Sequence, residues 1–327
     1  MYKPQREASI VRVVRRPYTP RDRLLEGRFN VKLRLKAEVP NNSYVFIWRG
    51  KQREVDLAPL LKNINNLLNK GQLIQNLRKI EQLIAAMKPS APVNVREPPM
   101  KGGVPYIPAS SIKGAARSRL EYKFSPKRSG DGLVSNACYI VQDGEVGERH
   151  RNFWGNDATH RREGPCDVKG RYSDKVCIVC DIFGAPSLSS RVDFSDAIMT
   201  AGNVELLTDL KIRAFKPGSS FVLSCIGRNF NYEELGLLYL SLELFSGSPV
   251  MIGFGKYSHN PIVGQPYGGK YYFGLMRFNL EEVTIFNGDL SSQSILPRQS
   301  IEKAKSALEQ SEHHPYLDYE KGVIRYG

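Results

Sequence analysis

One stretch of the sequence combines the residue types that bind anions at the start of a helix. Residues 105–119 read PYIPASSIKGAARSR, and the two prolines favour an extended segment before the helix begins. Ser110 or Ser111 could cap the first turn by accepting a backbone hydrogen bond. Lys113 and Arg117 add positive charge where the helix dipole favours negative charge, so a bound phosphate would relieve the mismatch. The simpler interpretation is an ordinary capped helix with a solvated basic face.

A second anion-binding pattern is the sequence Gly253-Phe254-Gly255-Lys256. Glycines permit backbone conformations in which amide groups approach a ligand closely, and Lys256 adds charge beside them. The same two glycines would also serve a tight turn that binds nothing.

Three clustered cysteines indicate a structural metal site. Cys177 and Cys180 form a Cys-x-x-Cys pair, and Cys166 precedes them closely. This spacing is typical of half of a structural zinc site, which needs a fourth ligand. His160 is the first choice for that ligand, followed by Cys138 and His150. The alternative is a set of free buried thiols in a reducing compartment.

Composition favours a polyanionic partner. The 327 residues contain 47 Lys and Arg against 33 Asp and Glu, a net charge of +14. Neutralising phosphates releases condensed counterions, so such a surplus suits nucleic acid. No apolar run is long enough to span a membrane, and the first residues lack the apolar core of a signal peptide. With an odd number of cysteines, this predicts a cytoplasmic protein without a membrane partner.

Hydrophobic periodicity predicts an α+β fold with an antiparallel sheet backed by helices. Residues 29–39 alternate apolar and basic side chains, which is typical of a strand with one buried face. Residues 55–90 predict a helical-hairpin insertion, and residues 125–182 an irregular insertion that carries the cysteine cluster. A strongly apolar helix is expected over residues 232–245.

Four motifs occur in order along the chain. They are the helix-start stretch, Cys-x-x-Cys-Asp-Ile-Phe-Gly at residues 177–184, Arg-Val-Asp-Phe-Ser-Asp-Ala at 191–197, and the loop at 253–256. This series resembles the RAMP superfamily, the repeat-associated proteins that build type III CRISPR effector complexes. Ala109 stands where the family pattern Ile-Pro-Gly-Ser-Ser-Ile-Lys-Gly has its glycine.

The resemblance implies a single elaborated domain over residues 1–327, with a modified ferredoxin-like core of the RNA-recognition type and helical and zinc-binding insertions. It also implies binding along a guide RNA, contact with target RNA, and assembly with other RAMP-type subunits. The RNA-binding residues expected on this basis are Ser110, Ser111, Lys113, Arg117, Gly253, Phe254, Gly255 and Lys256. The expected zinc ligands are Cys166, Cys177, Cys180 and His160.

A catalytic role is the alternative to a role in RNA binding alone. Backbone subunits of this family can cut target RNA with a loop aspartate and a divalent ion, but the corresponding region near residues 39–56 offers no clearly matching aspartate. Asp193 and Asp196 are expected to serve as helix caps or in salt bridges. We therefore expect a binding subunit rather than an enzyme. The alternative is an RNA endonuclease, either dependent on magnesium or using His150, His160 or His259 as acid and base.

Overall fold

The structure is a computed structural model that describes residues 10–48, 62, 65–66, 95–138, 146–170, 174–262, 264–288 and 291–325. The predicted helical hairpin over residues 55–90 lies outside the described residues, apart from Lys62, Asn65 and Asn66, which are helical. No helix among the described residues is long and apolar enough to cross a membrane.

Strands and helices are numbered here in chain order within the described residues. The strands are β1 (Arg12–Val13), β2 (Arg16–Pro17), β3 (Phe29–Glu38), β4 (Met100–Lys101), β5 (Val104–Ile107), β6 (Lys127–Ser129), β7 (Gly132–Ser135), β8 (Lys175–Val176), β9 (Val192–Phe194), β10 (Ala197–Ala201), β11 (Val204–Leu207), β12 (Ile212–Phe215), β13 (Ser220–Phe230), β14 (Val250–Met251), β15 (Leu275–Phe286) and β16 (Ser292–Ile295). The α-helices are α1 (Ala109–Lys123), α2 (Glu148–Trp154), α3 (Ile178–Phe183), α4 (Tyr232–Ser241) and α5 (Pro297–Glu309).

The largest sheet is antiparallel and contains the strands in the order β14-β15-β3-β13-β10-β5-β4. Its long strands follow a βαββαβ order: β3, α1, β9 with β10, β13, α4 and β15. If these four strands are counted along the chain as β3, β10, β13 and β15, their order across the sheet is 4-1-3-2. This is the strand order of a ferredoxin-like core. The predicted α+β fold with an antiparallel sheet is therefore confirmed.

The alternation predicted for β3 determines which face of the sheet is buried. Val31, Leu33 and Leu35 are fully buried, whereas Lys32 and Arg34 between them are exposed. Because side chains alternate across a strand, one sheet face joins the core while the other stays basic.

Helix α4 begins with a capping box, in which the side chain of Asn231 accepts from the backbone N–H of Glu234 and the carboxylate of Glu234 accepts in return. The predicted helix over 232–245 ends earlier, at Ser241. Glu243 then adopts a left-handed conformation, with a φ of 57°. That turn directs its carboxylate towards the buried Arg119 and Lys123.

Candidate nucleic-acid interface and metal centre

Helix α1 starts at Ala109, and an internal carboxylate satisfies its first amide. The backbone N–H of Ala109 donates to Oδ1 of Asp196 at 3.0 Å, although the two residues are 87 positions apart. Asp193 pairs with Arg228 at 2.6 Å, on the surface. Asp196 and Asp193 thus serve as a helix cap and in a salt bridge, as expected for this strand.

The expected serine cap is wrong. Pro108 is the N-cap residue, and no side chain of the N-cap position bonds to the first turn. Ser110 is exposed and Ser111 is half-buried, so both stay accessible to a ligand. Part of the negative charge that the helix start requires is therefore supplied by Asp196.

Arg117 is used inside the protein. Its guanidinium donates to Oε1 of Glu121 at 2.9 Å, to the carbonyl oxygen of Gly184 at 2.8 Å, and to the sulfur of Cys180 at 3.2 Å. It thereby joins α1 to the Phe-Gly turn and to the cysteine cluster. These bonds use three of the five N–H donors of the guanidinium inside the protein.

Lys113 has fewer contacts within the protein than Arg117. It is half-buried, and burial is the main cause that lowers its pKa, while the nearby Asp193 opposes that effect. The charge of Lys113 is accordingly only partly compensated.

The glycines of the 253–256 loop are required by contacts within the protein. Gly253 and Gly255 have φ values of 79° and 70°, which favour glycine. A Cβ on Gly253 would lie 2.5 Å from the carbonyl oxygen of Phe46, and Phe254 donates its N–H to that oxygen at 2.9 Å. The two glycines therefore form a tight turn whether or not a ligand binds, and this turn fixes the position of Lys256.

A cleft of about 530 Å³ opens between this loop and the start of α2. Lys256 and His150 both line it. Burial lowers the pKa of Lys256, and its ammonium makes no hydrogen bond or ion pair with any described residue, only a contact of 5.3 Å with the ring of Tyr257. The backbone N–H groups of Gly255 and Lys256 likewise meet no acceptor in the described part of the chain. The cleft therefore offers hydrogen-bond donors that lack an acceptor within the described residues, and it is also lined by the exposed Glu148 and Arg149.

Tyr257 connects this cleft to α1. Its hydroxyl accepts from the indole N–H of Trp154 at 3.3 Å, and the Trp154 ring stacks on that of Tyr122 in α1 at 4.8 Å. Ser110, Gly114 and Ser118 share one face of α1, and the first two are exposed. At 1.5 Å per residue, that face extends about 10 Å from Ser118 back towards Ser111. The cleft therefore lies beside α1, the helix whose first turns carry Ser110, Ser111 and Lys113.

Four cysteines meet at one buried point. Cys138, Cys166, Cys177 and Cys180 are each at most 1% exposed, and their sulfur atoms all lie within 4.8 Å of one another. The Cys138 sulfur is 3.4 Å from that of Cys180 and 3.7 Å from that of Cys177. With a Zn–S bond of about 2.3 Å, a tetrahedral zinc site places its sulfur atoms at similar separations.

The donor set fits zinc chemically. Burial raises the pKa of the Cys177 thiol, whereas hydrogen bonds from the other three thiols, that of Cys138 first, lower the pKa of Cys166. Four thiols in contact cannot all ionise unless a cation compensates them. When bound, zinc would cross-link the segments that carry the four ligands, and a site closed by four thiolates offers no open position for catalysis.

The predicted ligand set needs one correction. Cys166, Cys177 and Cys180 come together as expected, but the fourth member of the cluster is Cys138, the second choice, and not His160. Cys138 lies three residues after strand β7, and its sulfur contacts those of Cys177 and Cys180 at the start of α3. Cys138 and Cys166 are 28 positions apart, which conceals this proximity in the sequence.

The remaining histidines differ in their surroundings. The ring of His150 lies 4.1 Å from that of Tyr257, and burial together with Lys256 lowers its pKa. His259 bonds through Nδ1 to the carbonyl oxygen of Gln265. Tyr257 lines the cleft but is not among the residues predicted from the sequence, where its only signal is its position next to Lys256.

The fold and the site together define an α+β protein with a ferredoxin-like antiparallel core and a cation-lined cleft at a glycine-containing loop. A family model described as the RAMP superfamily matches residues 85–258, more than half of the chain. The chain belongs to the RAMP superfamily.

Among solved structures, the chain is similar to the crystal structure of Thermofilum pendens Csc2. The match has 13% sequence identity and a TM-score of 0.36, and it covers 90% of this chain and 80% of that chain. A search of the curated proteins gives no match.

Proposed function

We propose that this chain is a guide-RNA-binding subunit of a type III CRISPR ribonucleoprotein effector complex. In this role it is a structural and binding component of a helical RNA-bound assembly in the cytoplasm. Its partners are the guide RNA, the target RNA and other RAMP-type subunits. Membership in the RAMP superfamily and a net charge of +14 support this role.

The observation that carries the proposal is the uncompensated ammonium of Lys256. Partly burying a cation without a counter-ion is unfavourable, and a phosphate group would remove that cost. The neighbouring free amides of Gly255 and Lys256 are suitable donors to the same phosphate. Ser110, Ser111 and Lys113 extend the surface along α1, so a strand of several nucleotides would be held mainly through its backbone.

The test is equilibrium binding of single-stranded RNA to the full chain and to the Lys256→Gln variant across a range of salt concentrations. We expect the variant to bind several-fold more weakly. The slope of its log binding constant against log salt concentration should become shallower by somewhat less than one, because one phosphate contact is lost. Lys305→Gln is the matched control, because Lys305 is an exposed lysine on α5. Equal behaviour of the two variants would refute the site.

The alternative function, an RNA endonuclease, has one observation in its favour. His150 shares the cleft with Lys256, and its lowered pKa keeps the imidazole neutral at pH 7, as a general base requires. Incubating RNA with the wild-type protein and with His150→Ala, with and without magnesium or a chelator, tests this. Cleavage that needs His150 but no metal would support the nuclease over the binding subunit.

A further inference from the structure

On its other side, the 253–256 loop borders a second pocket, of about 380 Å³, whose lining is aromatic and charged. Phe46, Ile212, Phe254 and Tyr267 supply apolar surface, and Arg96, Asp209 and Lys211 supply charged groups. Phe46 and Ile212 are buried, whereas Phe254 and Tyr267 are 42% and 37% exposed.

Phe254 presents an open aromatic face. Its ring meets those of Phe46, Phe273 and Tyr267 at interplanar angles of 75°, 78° and 58°, so none of these three stacks parallel to it. A ligand that covered this ring would remove its apolar surface from water, which is favourable. A flat π-system is the ligand that uses such a face best.

The position of Phe254 in the chain connects this pocket with the cleft. Phe254 lines the pocket, and Lys256, two residues later, lines the cleft. Two residues span at most about 7 Å of backbone. One nucleotide could therefore place its phosphate beside Lys256 and its base against Phe254.

We propose that this pocket binds one unpaired nucleobase of the RNA whose backbone occupies the cleft; the inference rests on the proposed function. Stacking on Phe254 holds the base without regard to its identity, because every base has a π face. Arg96 and Lys211 can donate to base carbonyl or ring nitrogen atoms, and Asp209 can accept from a base amino group. The mixed charges at the pocket suit a polar heterocycle better than an apolar peptide side chain.

The experiment compares two ligands of equal length: single-stranded RNA, and a base-free oligonucleotide that keeps only the sugar-phosphate backbone. The wild-type full chain should bind the RNA about 5-fold or more tightly than the base-free ligand, since stacking of one base contributes on the order of tenfold in affinity. Phe254→Leu should lose this preference, because leucine retains apolar bulk against Phe46 and Phe273 but has no aromatic face. Its affinity for the base-free ligand should fall by a clearly smaller factor than its affinity for RNA.

Two further variants complete the design. Phe254→Trp keeps an aromatic face and should retain the preference for RNA. Phe286→Leu removes an aromatic ring of similar exposure on β15 and should behave as wild type. Equal wild-type binding of both ligands would overturn the base pocket while leaving the phosphate site standing. Equal weakening of both ligands by Phe254→Leu would also overturn it, by assigning Phe254 a structural role. If the wild-type chain binds neither ligand, the proposed function itself fails.

Discussion

Two regions of this protein differ in whether a buried positive charge has a carboxylate partner. At the C-terminal half of α1, Arg119 and Lys123 are at most 2% exposed, and both bond to Glu243 at 2.8 Å. At the cleft, Lys256 is partly buried but has no carboxylate partner among the described residues. The fold therefore supplies counter-ions where charge only holds the structure together. Where a counter-ion is lacking, we infer that a ligand provides it.

The pKa values of the buried carboxylates that pair with arginine and lysine show how strongly these charges are compensated. Burial alone would raise the pKa of Glu243, but Arg119 and Lys123 outweigh it and lower that pKa below its usual value. Asp181 shows the same balance, with Arg191 and Arg21 as its partners. Removing one partner from such a buried pair leaves an uncompensated charge and is strongly destabilising.

The largest expected effect concerns the cysteine cluster, the most buried of the polar sites. Cys138→Ser should lose the bound metal and unfold at markedly lower temperature, because structural zinc can contribute on the order of 10 kcal/mol to folding. Elemental analysis of purified protein measures the metal, and thermal unfolding measures stability. His160→Ala should keep one zinc per chain, as should Cys225→Ser, since Cys225 is buried outside the cluster. Metal retained by Cys138→Ser and lost by His160→Ala would reverse this assignment.

Local features of the site were predictable, and its long-range partners were not. The extended segment before α1, the alternation of β3 and the Cys-x-x-Cys pair all depend on residues a few positions apart. The cap from Asp196 and the ligand Cys138 instead depend on how distant segments fold together, which composition and periodicity do not encode. The bonds of Arg117 to Gly184 and Cys180 also join distant segments. From the sequence alone, Arg117 therefore looked like a side chain that binds phosphate.

The second effect tests the compensated region directly. Glu243→Gln leaves Arg119 and Lys123 buried without their carboxylate, so we expect a loss of about 3–5 kcal/mol in the free energy of unfolding. Lys256→Gln removes an uncompensated charge and should leave stability unchanged or slightly higher. Urea denaturation at pH 7 measures both. If Lys256→Gln destabilised the protein as much as Glu243→Gln, the contrast between the two regions would be lost.

A smaller effect is expected on RNA affinity at the start of α1. Lys113→Glu should weaken binding of single-stranded RNA several-fold, because it replaces an attractive charge by a repulsive one beside the phosphate backbone. Arg117 is less suitable for this test, because its bonds to Glu121 and Gly184 make any substitution a structural one. Lys305→Glu makes the same change of charge on α5 and serves as control. Equal losses would show that only overall charge matters.

The smallest effect is a pH dependence of RNA binding through His150. Burial and the neighbouring Lys256 lower its pKa in the free protein, so the imidazole is neutral at pH 7. A phosphate in the cleft would favour the protonated ring and raise that pKa, so the complex binds more protons than the free protein. Affinity should therefore rise as the pH falls through the pKa of His150 in the complex, by up to tenfold for each unit of difference between the two pKa values. Binding measured at constant ionic strength should show this slope for the wild type and a flatter one for His150→Gln. Identical slopes would place His150 outside the electrostatic field of the bound strand and confine the interface to the side of Lys256 that faces α1.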